Sequence, residues 1–167
     1  NLNEITHDQV REIAILRYLP KHPNIVNFMG YLDNKIVTAY AGRTLLKYLP
    51  RKKYKSLVYQ LIEGVSFLHL NKIAHRDLSN KNIVIKGGRL VIIDFGMARY
   101  MANELPGEST YTSHVTSLWH RAPELLSAEK STLNYDARKI DDWSVGILIT
   151  EIMGGISWLR GSRSKDQ

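Results

Sequence analysis

No cysteine occurs in the 167 residues, which excludes disulfide frameworks, thiolate zinc sites and cysteine nucleophiles together and is compatible with a reducing compartment. Long apolar runs are missing too. Stretches such as residues 90–93 and 147–149 fall far short of the roughly 20 residues a membrane-crossing helix needs. The polar opening Asn1-Leu2-Asn3-Glu4 has neither the basic nor the apolar region of a secretory leader, and no repeat or low-complexity tract interrupts the chain. Acidic residues are outnumbered, 16 against 23 Lys and Arg, for a net charge of +7. The excess is dispersed apart from Arg51-Lys52-Lys53-Tyr54-Lys55, which reads as a solvated loop and helix start. A nucleic-acid-binding reading has only the net charge behind it, so neither a membrane nor a nucleic acid is expected as partner.

With 44% hydrophobic residues the chain can bury one sizeable core. Val10, Ile13, Ala14, Leu16 and Leu19 follow a helical period over residues 9–19, and Pro20 and Pro23 end it. Residues 25–31 and 35–40 are short β-rich runs around Asp33-Asn34, suiting a hairpin, and Ala41-Gly42-Arg43 breaks the pattern. Leu57, Leu61, Ile62, Val65 and Leu68 predict a long amphipathic helix, and the polar stretch 71–82 after it is expected on the surface. Lys86-Gly87-Gly88-Arg89 between two apolar runs predicts a tight hairpin. Residues 100–117 are polar and rich in Ser and Thr. Residues 143–153 are apolar almost all round, as in a helix buried at the centre of a domain.

Three motifs follow one another in order: His75-Arg76-Asp77-Leu78-Ser79-Asn80-Lys81-Asn82, then Asp94-Phe95-Gly96 beyond the hairpin, then Ala122-Pro123-Glu124. Phosphoryl transfer needs a carboxylate to orient the attacking hydroxyl and hard oxygen ligands for Mg²⁺ on the triphosphate, and Asp77, Asn82 and Asp94 are of those types. A short hairpin between the two loops would bring both to one edge. Singly, each residue could serve an ordinary turn or cap; the ordered set is far more specific.

On these motifs the chain resembles a eukaryotic protein kinase, most closely the cyclin-dependent branch. Arg11-Glu12-Ile13 with His22-Pro23-Asn24-Ile25-Val26 is similar to the family's regulatory helix and following strand. Leu118-Trp119-His120-Arg121-Ala122-Pro123-Glu124 is similar to the branch's L-W-Y-R-A-P-E, with His120 in place of tyrosine, and Asp141-Asp142-Trp143-Ser144-Val145-Gly146 is similar to the start of its central helix. The resemblance implies an α+β kinase-like fold, with residues 1–42 in a partial small lobe and 43–167 in a partial, mainly helical large lobe. It further implies transfer of the γ-phosphate of ATP to a protein Ser or Thr, with Mg²⁺, in the cytoplasm or nucleus, and a cyclin-like regulatory partner.

Resemblance assigns roles as well. Asp77, Arg76, Lys81, Asn82 and Glu12 would be catalytic, Glu12 as partner of the ATP-binding lysine. Thr38 (gatekeeper), Ala39, Tyr40 and Ala41 (hinge), Val84 and Asp94 would hold the nucleotide, and Asn82 and Asp94 the metal. Thr112, with Tyr111 and Ser117, would be regulatory, a phosphate on Thr112 being clamped by Arg76. Leu16, Phe28, His75 and Phe95 would stack in an apolar column anchored by Asp141, with Gly96 and Glu124 also structural, Glu124 in a buried ion pair.

Two departures qualify this. Ser79 stands where most such Ser/Thr kinases carry lysine, with Lys81 two positions on as a substitute cation. No glycine-rich loop or nucleotide-binding lysine precedes Glu12, and Lys21 and Lys35 follow the helix, so the chain reads as a partial domain expected to be inactive alone. The rival reading is a non-catalytic kinase-like module that binds a regulatory protein.

Overall fold

The computed structural model describes residues 5–45, 54–101, 110–112, 120–126 and 132–154. Helix α1 (His7–Tyr18) starts two residues before the sequence pattern because Thr6 and Gln9 form a reciprocal capping box, and Leu19 caps its end through its N–H to Ile15 O. Strands β1 (Phe28–Leu32) and β2 (Lys35–Thr38) pair antiparallel, turning on Asp33 and Asn34 at φ 49° and 59°. Both residue types tolerate that left-handed backbone, as the tight hairpin requires. Ile25 and Val26, expected in β1, instead run parallel beside Ile92, outside the β1–β2 pair. Val26 N donates to Ile92 O, and Ile92 N donates to Asn24 O.

Strands β3 (Arg43–Thr44), β5 (Ile83–Lys86) and β6 (Arg89–Ile92) form one antiparallel sheet. The β5–β6 turn is the foreseen Gly87-Gly88, both at positive φ. Gly42, at φ 122°, passes so close to the carbonyl of Ile85 that any side chain there would collide with it. Helix α2 (Tyr54–Leu70) buries Leu57, Leu61, Gly64, Val65 and Leu68 against β6 and the last helix, α4 (Ala137–Gly154). Asn24 pins the α1–β1 connection to the hairpin. Its Nδ2 donates to Leu90 O at 2.8 Å and to Gln60 Oε1 at 3.2 Å.

Two short strand pairs escaped the sequence reading. These are β4 (Ile73–Ala74) with β7 (Arg99–Tyr100), and β8 (Thr110–Thr112) with β9 (Thr132–Asn134), besides the one-turn α3 (Pro123–Leu126). Ladders of two or three residues carry no legible period. Among the described residues no helix is long and apolar enough to cross a membrane.

Two expectations are corrected. The polar stretch 71–82 is only partly on the surface: Lys72 and Lys81 are exposed, but His75, Arg76 and Leu78 are fully buried, and Ser79 and Asn82 nearly so. Most of its polar groups are satisfied internally, the His75 and Arg76 N–H groups by Asp141, the Arg76 guanidinium by Tyr135 and Met97, Asn80 by Glu151 and Asn82 by Asp77, whereas the Ser79 hydroxyl is buried without a partner among the described residues. Helix α4 is not buried all round either. Asp141, Ser144, Leu148, Glu151 and Ile152 lie inward while Trp143 and Met153 are exposed. The basic cluster 51–53 lies outside the described residues.

Candidate active site

Asp141 organises the loop after β4. It sits fully buried on α4 and accepts from His75 N at 2.8 Å, from Arg76 N at 2.7 Å and from His69 Nε2 at 3.0 Å. Two successive backbone N–H groups can reach one carboxylate because Arg76 takes φ 66°, a conformation that costs an arginine about 1–3 kcal/mol unless held.

His75 then ties the two motif loops together. Its Nδ1 accepts from Asp77 N at 3.3 Å, which places the ring proton on Nε2, and Nε2 donates to Ile93 O at 3.0 Å. Asn82 makes a second link. Its Nδ2 donates to both Asp77 O and Asp77 Oδ2 at 2.8 Å, while its own carbonyl accepts from Ile93 N at 3.0 Å. Ile93 precedes Asp94, so Asp77, Asn82 and Asp94 come to one edge of the β5–β6 hairpin. Asp94 adopts φ 64° and is solvent-exposed, and its Oδ1 accepts from Gly96 N at 3.3 Å. The Phe95 ring packs edge-on against His75 with centroids 4.9 Å apart. Leu16 and Phe95 share the main core, and Phe28 packs against it.

Glu12, on α1, reaches across to accept from Phe95 N at 3.2 Å. Burial raises its pKa above the ordinary 4.5; the Phe95 N–H opposes that rise and the Asp94 carboxylate adds to it. Glu12 forms no ion pair among the described residues. The folded state therefore binds this proton more tightly than the unfolded chain does. Its contribution to stability is full below pH 4.5 and is lost as pH rises through the higher folded value. Glu12→Gln keeps the acceptor for Phe95 without the charge. Its melting temperature should match the wild type in acid and rise above it as pH climbs through that window; a difference independent of pH would refute the shift.

Glu12 lines a cavity of about 480 Å³ together with Thr38, Ala39, Tyr40, Ala41, Val84 and Asp94, all the residues expected at a nucleotide. Val26, Ile36 and Ile93 complete its apolar wall; they were legible only as generic core positions.

Other expected residues lie differently. Arg76 does not face this cavity. It is fully buried, with Nε and Nη2 donating to Tyr135 Oη at 3.1 and 2.8 Å and Nη1 donating to Met97 O at 3.3 Å. Resemblance gave Arg76 the role of a phosphate clamp beside Asp77, and the described contacts of its guanidinium are to Tyr135 and Met97. Ser79 is buried, so it does not present its hydroxyl where the usual lysine would act, whereas Lys81 is exposed. Glu124 is exposed in the first turn of α3. Tyr111 and Thr112 lie in β8, in register with Leu133 and Thr132. Ser117 lies outside the described residues.

Sequence reading missed Arg11 and Arg99 as partners of Arg76. Burial lowers the pKa of Arg99 first, and the cations Arg76 and Arg11 lower it further. The Asp8 carboxylate, which accepts from Arg11 Nη1 at 2.8 Å, opposes that lowering, so the surroundings of Arg99 are positive on balance and partly neutralised.

The family model described as the protein kinase domain matches residues 2–167, and the chain belongs to that family. It is 34% identical over 95% of its length to a probable serine/threonine-protein kinase of Dictyostelium discoideum. To cell division control protein 2 homolog 3 of Trypanosoma brucei brucei it is 37% identical over 94% of its length. It covers 32% and 52% of those two proteins, so it spans about half their length or less. Among solved structures, a chain of the yeast RNA Pol II CTD kinase CTDK-1 complex superposes with a TM-score of 0.83 at 31% identity, covering all of this chain and 56% of that one.

Proposed function

We propose that the protein of which this chain is part transfers the γ-phosphate of ATP to a serine or threonine hydroxyl of a protein substrate. What carries this reading is the double link from Asp77 to Ile93, through His75 and through Asn82, which holds Asp77 at the same hairpin edge as Asp94, a residue lining a cleft large enough for adenosine. In this reading Ala39, Tyr40 and Ala41 offer backbone groups to adenine, and Val84 packs against the ring.

The donor chemistry fits magnesium. Among the described residues no cluster of three His, Cys, Asp or Glu side chains could cage a metal. Magnesium needs no such cage, because it takes one or two protein oxygens and fills its octahedron with phosphate oxygens and water. Asp94 and Asn82 would hold it; Asn82 spends its NH₂ on Asp77, leaving its Oδ1 as the hard ligand. When bound, the ion would neutralise charge developing on the phosphates. Asp77, its plane fixed by Asn82, orients the acceptor hydroxyl and takes its proton. Lys81, exposed beside Asn82, would place a cation near the transferring group in lieu of Ser79.

The arginines Arg11, Arg76 and Arg99 suit a phosphate on Thr112, which would offset their mutual repulsion and order the segment. Thr112→Ala in the full-length protein should lower kcat by about 10–10²-fold and remove one phosphate from the segment by mass spectrometry. Unaltered turnover would refute the switch. A cyclin-like partner on α1 is supported by the solved neighbour being a complex.

The direct experiment incubates full-length protein with Mg²⁺, radiolabelled ATP and candidate protein acceptors, followed by phosphoamino-acid analysis. Label in phosphoserine or phosphothreonine supports the reading. Label in phosphotyrosine alone would overturn the specificity, and ATP binding without transfer would favour the non-catalytic module.

A further inference from the structure

Glu151 takes no part in the chemistry above, yet it is an acidic group nearly buried on α4, on the same inward face as Asp141, Ser144 and Leu148. Both of its oxygens accept from Asn80 Nδ2 at 3.2 Å. Its Oε2 also meets His120 Nε2 at 3.2 Å, and His120 is 2% exposed. Ser144, two turns earlier on α4, donates Oγ to His120 O at 2.9 Å, fixing the same residue through its backbone. Asn80 lies between Asp77 and Asn82 in the catalytic loop, and His120 opens the stretch that runs into α3.

One carboxylate on a rigid helix thus takes a donor from the loop that carries the proposed base and another from the segment that ends in Glu124. Burying a carboxylate is costly unless its donors are in place. Each donor therefore lowers the cost of the charge for the other, and the two loops cannot disengage independently. We propose that Glu151 is a positioning residue that couples loop 77–82 to segment 120–126, with Asn80 and His120 as its two attachment points. Its catalytic consequence rests on the kinase reading; the coupling does not.

Hydrogen bonding and charge can be separated at this site. In Glu151→Gln the amide oxygen can still accept from Asn80, and the NH₂ can donate to His120 Nε2 once the imidazole proton moves to Nδ1, which is buried without a partner among the described residues, so both contacts persist without the charge at the cost of that tautomer change. Glu151→Ala loses both. Asn80→Ala cuts one attachment at a half-buried position without opening the core, and it guards against a Glu151→Ala variant that fails to fold.

The experiment uses full-length protein and two readouts. By steady-state kinetics with Mg·ATP and a protein acceptor, Glu151→Ala should lower kcat about 10–10²-fold with KM for ATP within about twofold, and Glu151→Gln should recover to within about threefold of wild type. By amide hydrogen exchange, Asn80→Ala should speed exchange across residues 120–126 and His120→Ala across residues 77–82, each about fivefold or more, while amides of α2 stay unchanged. A purely structural role would instead loosen α2 as well or leave the opposite loop untouched, and either result overturns the proposal. So does a Glu151→Gln variant as impaired as Glu151→Ala. If the wild type shows no phosphoryl transfer, the kinase reading fails while the exchange arm still decides the coupling.

Discussion

Replacing Asp77 by asparagine should lower kcat about 10²–10⁴-fold, the range a positioned general base contributes, with little change in ATP affinity. The substitution is close to isosteric. In the Asp77→Asn variant the side-chain amide oxygen could still accept from Asn82 Nδ2, and the backbone bond from residue 77 to His75 Nδ1 is untouched, so the loop should keep its shape. What disappears is the negative charge that aligns the acceptor hydroxyl and receives its proton. Steady-state kinetics on the full-length protein, with calorimetric titration of Mg·ATP, would separate the two effects. A kcat within about threefold of wild type would remove Asp77 from the mechanism. A loss of ATP binding of similar size would move it from base to ligand.

Replacing Asp141 by alanine should destabilise the fold by about 3–5 kcal/mol, as expected when a buried charged hydrogen-bonding group is removed from its partners. Three donors would be stranded: His75 N, Arg76 N and His69 Nε2. The first two belong to the backbone and cannot turn away to find water. Arg76 would also lose what holds it in the left-handed region, adding strain to desolvation. Asp141→Asn keeps one acceptor oxygen and should cost less. Urea unfolding of the three proteins measures the differences, and an Asp141→Ala loss under about 1 kcal/mol would mean that the loop relaxes onto other acceptors.

The sequence made some of this legible and hid the rest for identifiable reasons. Gly87-Gly88 and Asp33-Asn34 announce their hairpins because the turn demands residues that accept positive φ, a local requirement written in local composition. The long α2 shows in its period. The cleft-lining residues were found through resemblance to the kinase family, not through their own pattern; nothing in Thr38-Ala39-Tyr40-Ala41 by itself indicates a nucleotide. The burial of residues 75–79 was misread because hydrophilicity was taken to mean exposure. Asp141 supplies acceptors from far along the chain, and such a long-range partner leaves no mark on the loop. Arg11 and Arg99 were missed because each looks like an ordinary surface cation until folding sets it beside Arg76. For the same reason Glu151 went unnoticed within a stretch read as apolar almost all round.

The two ends of α1 are held unequally. At its C-terminal end, the connection through Asn24 and Val26 is bonded to the hairpin at Leu90 and Ile92, whereas its N-terminal end is closed by the local pairing of Thr6 with Gln9 and by Gln9 Nε2 donating to Asn34 O in a surface turn. The helix is thus a lever with its fulcrum near Leu19, and Glu12 rides roughly 10 Å out along the arm at 1.5 Å per residue. A tilt of ten degrees would swing Glu12 by about 2 Å on that arm, enough to part it from the N–H of Phe95. Whatever grips the outer end of α1 would hold a mechanical advantage over the cleft without entering it.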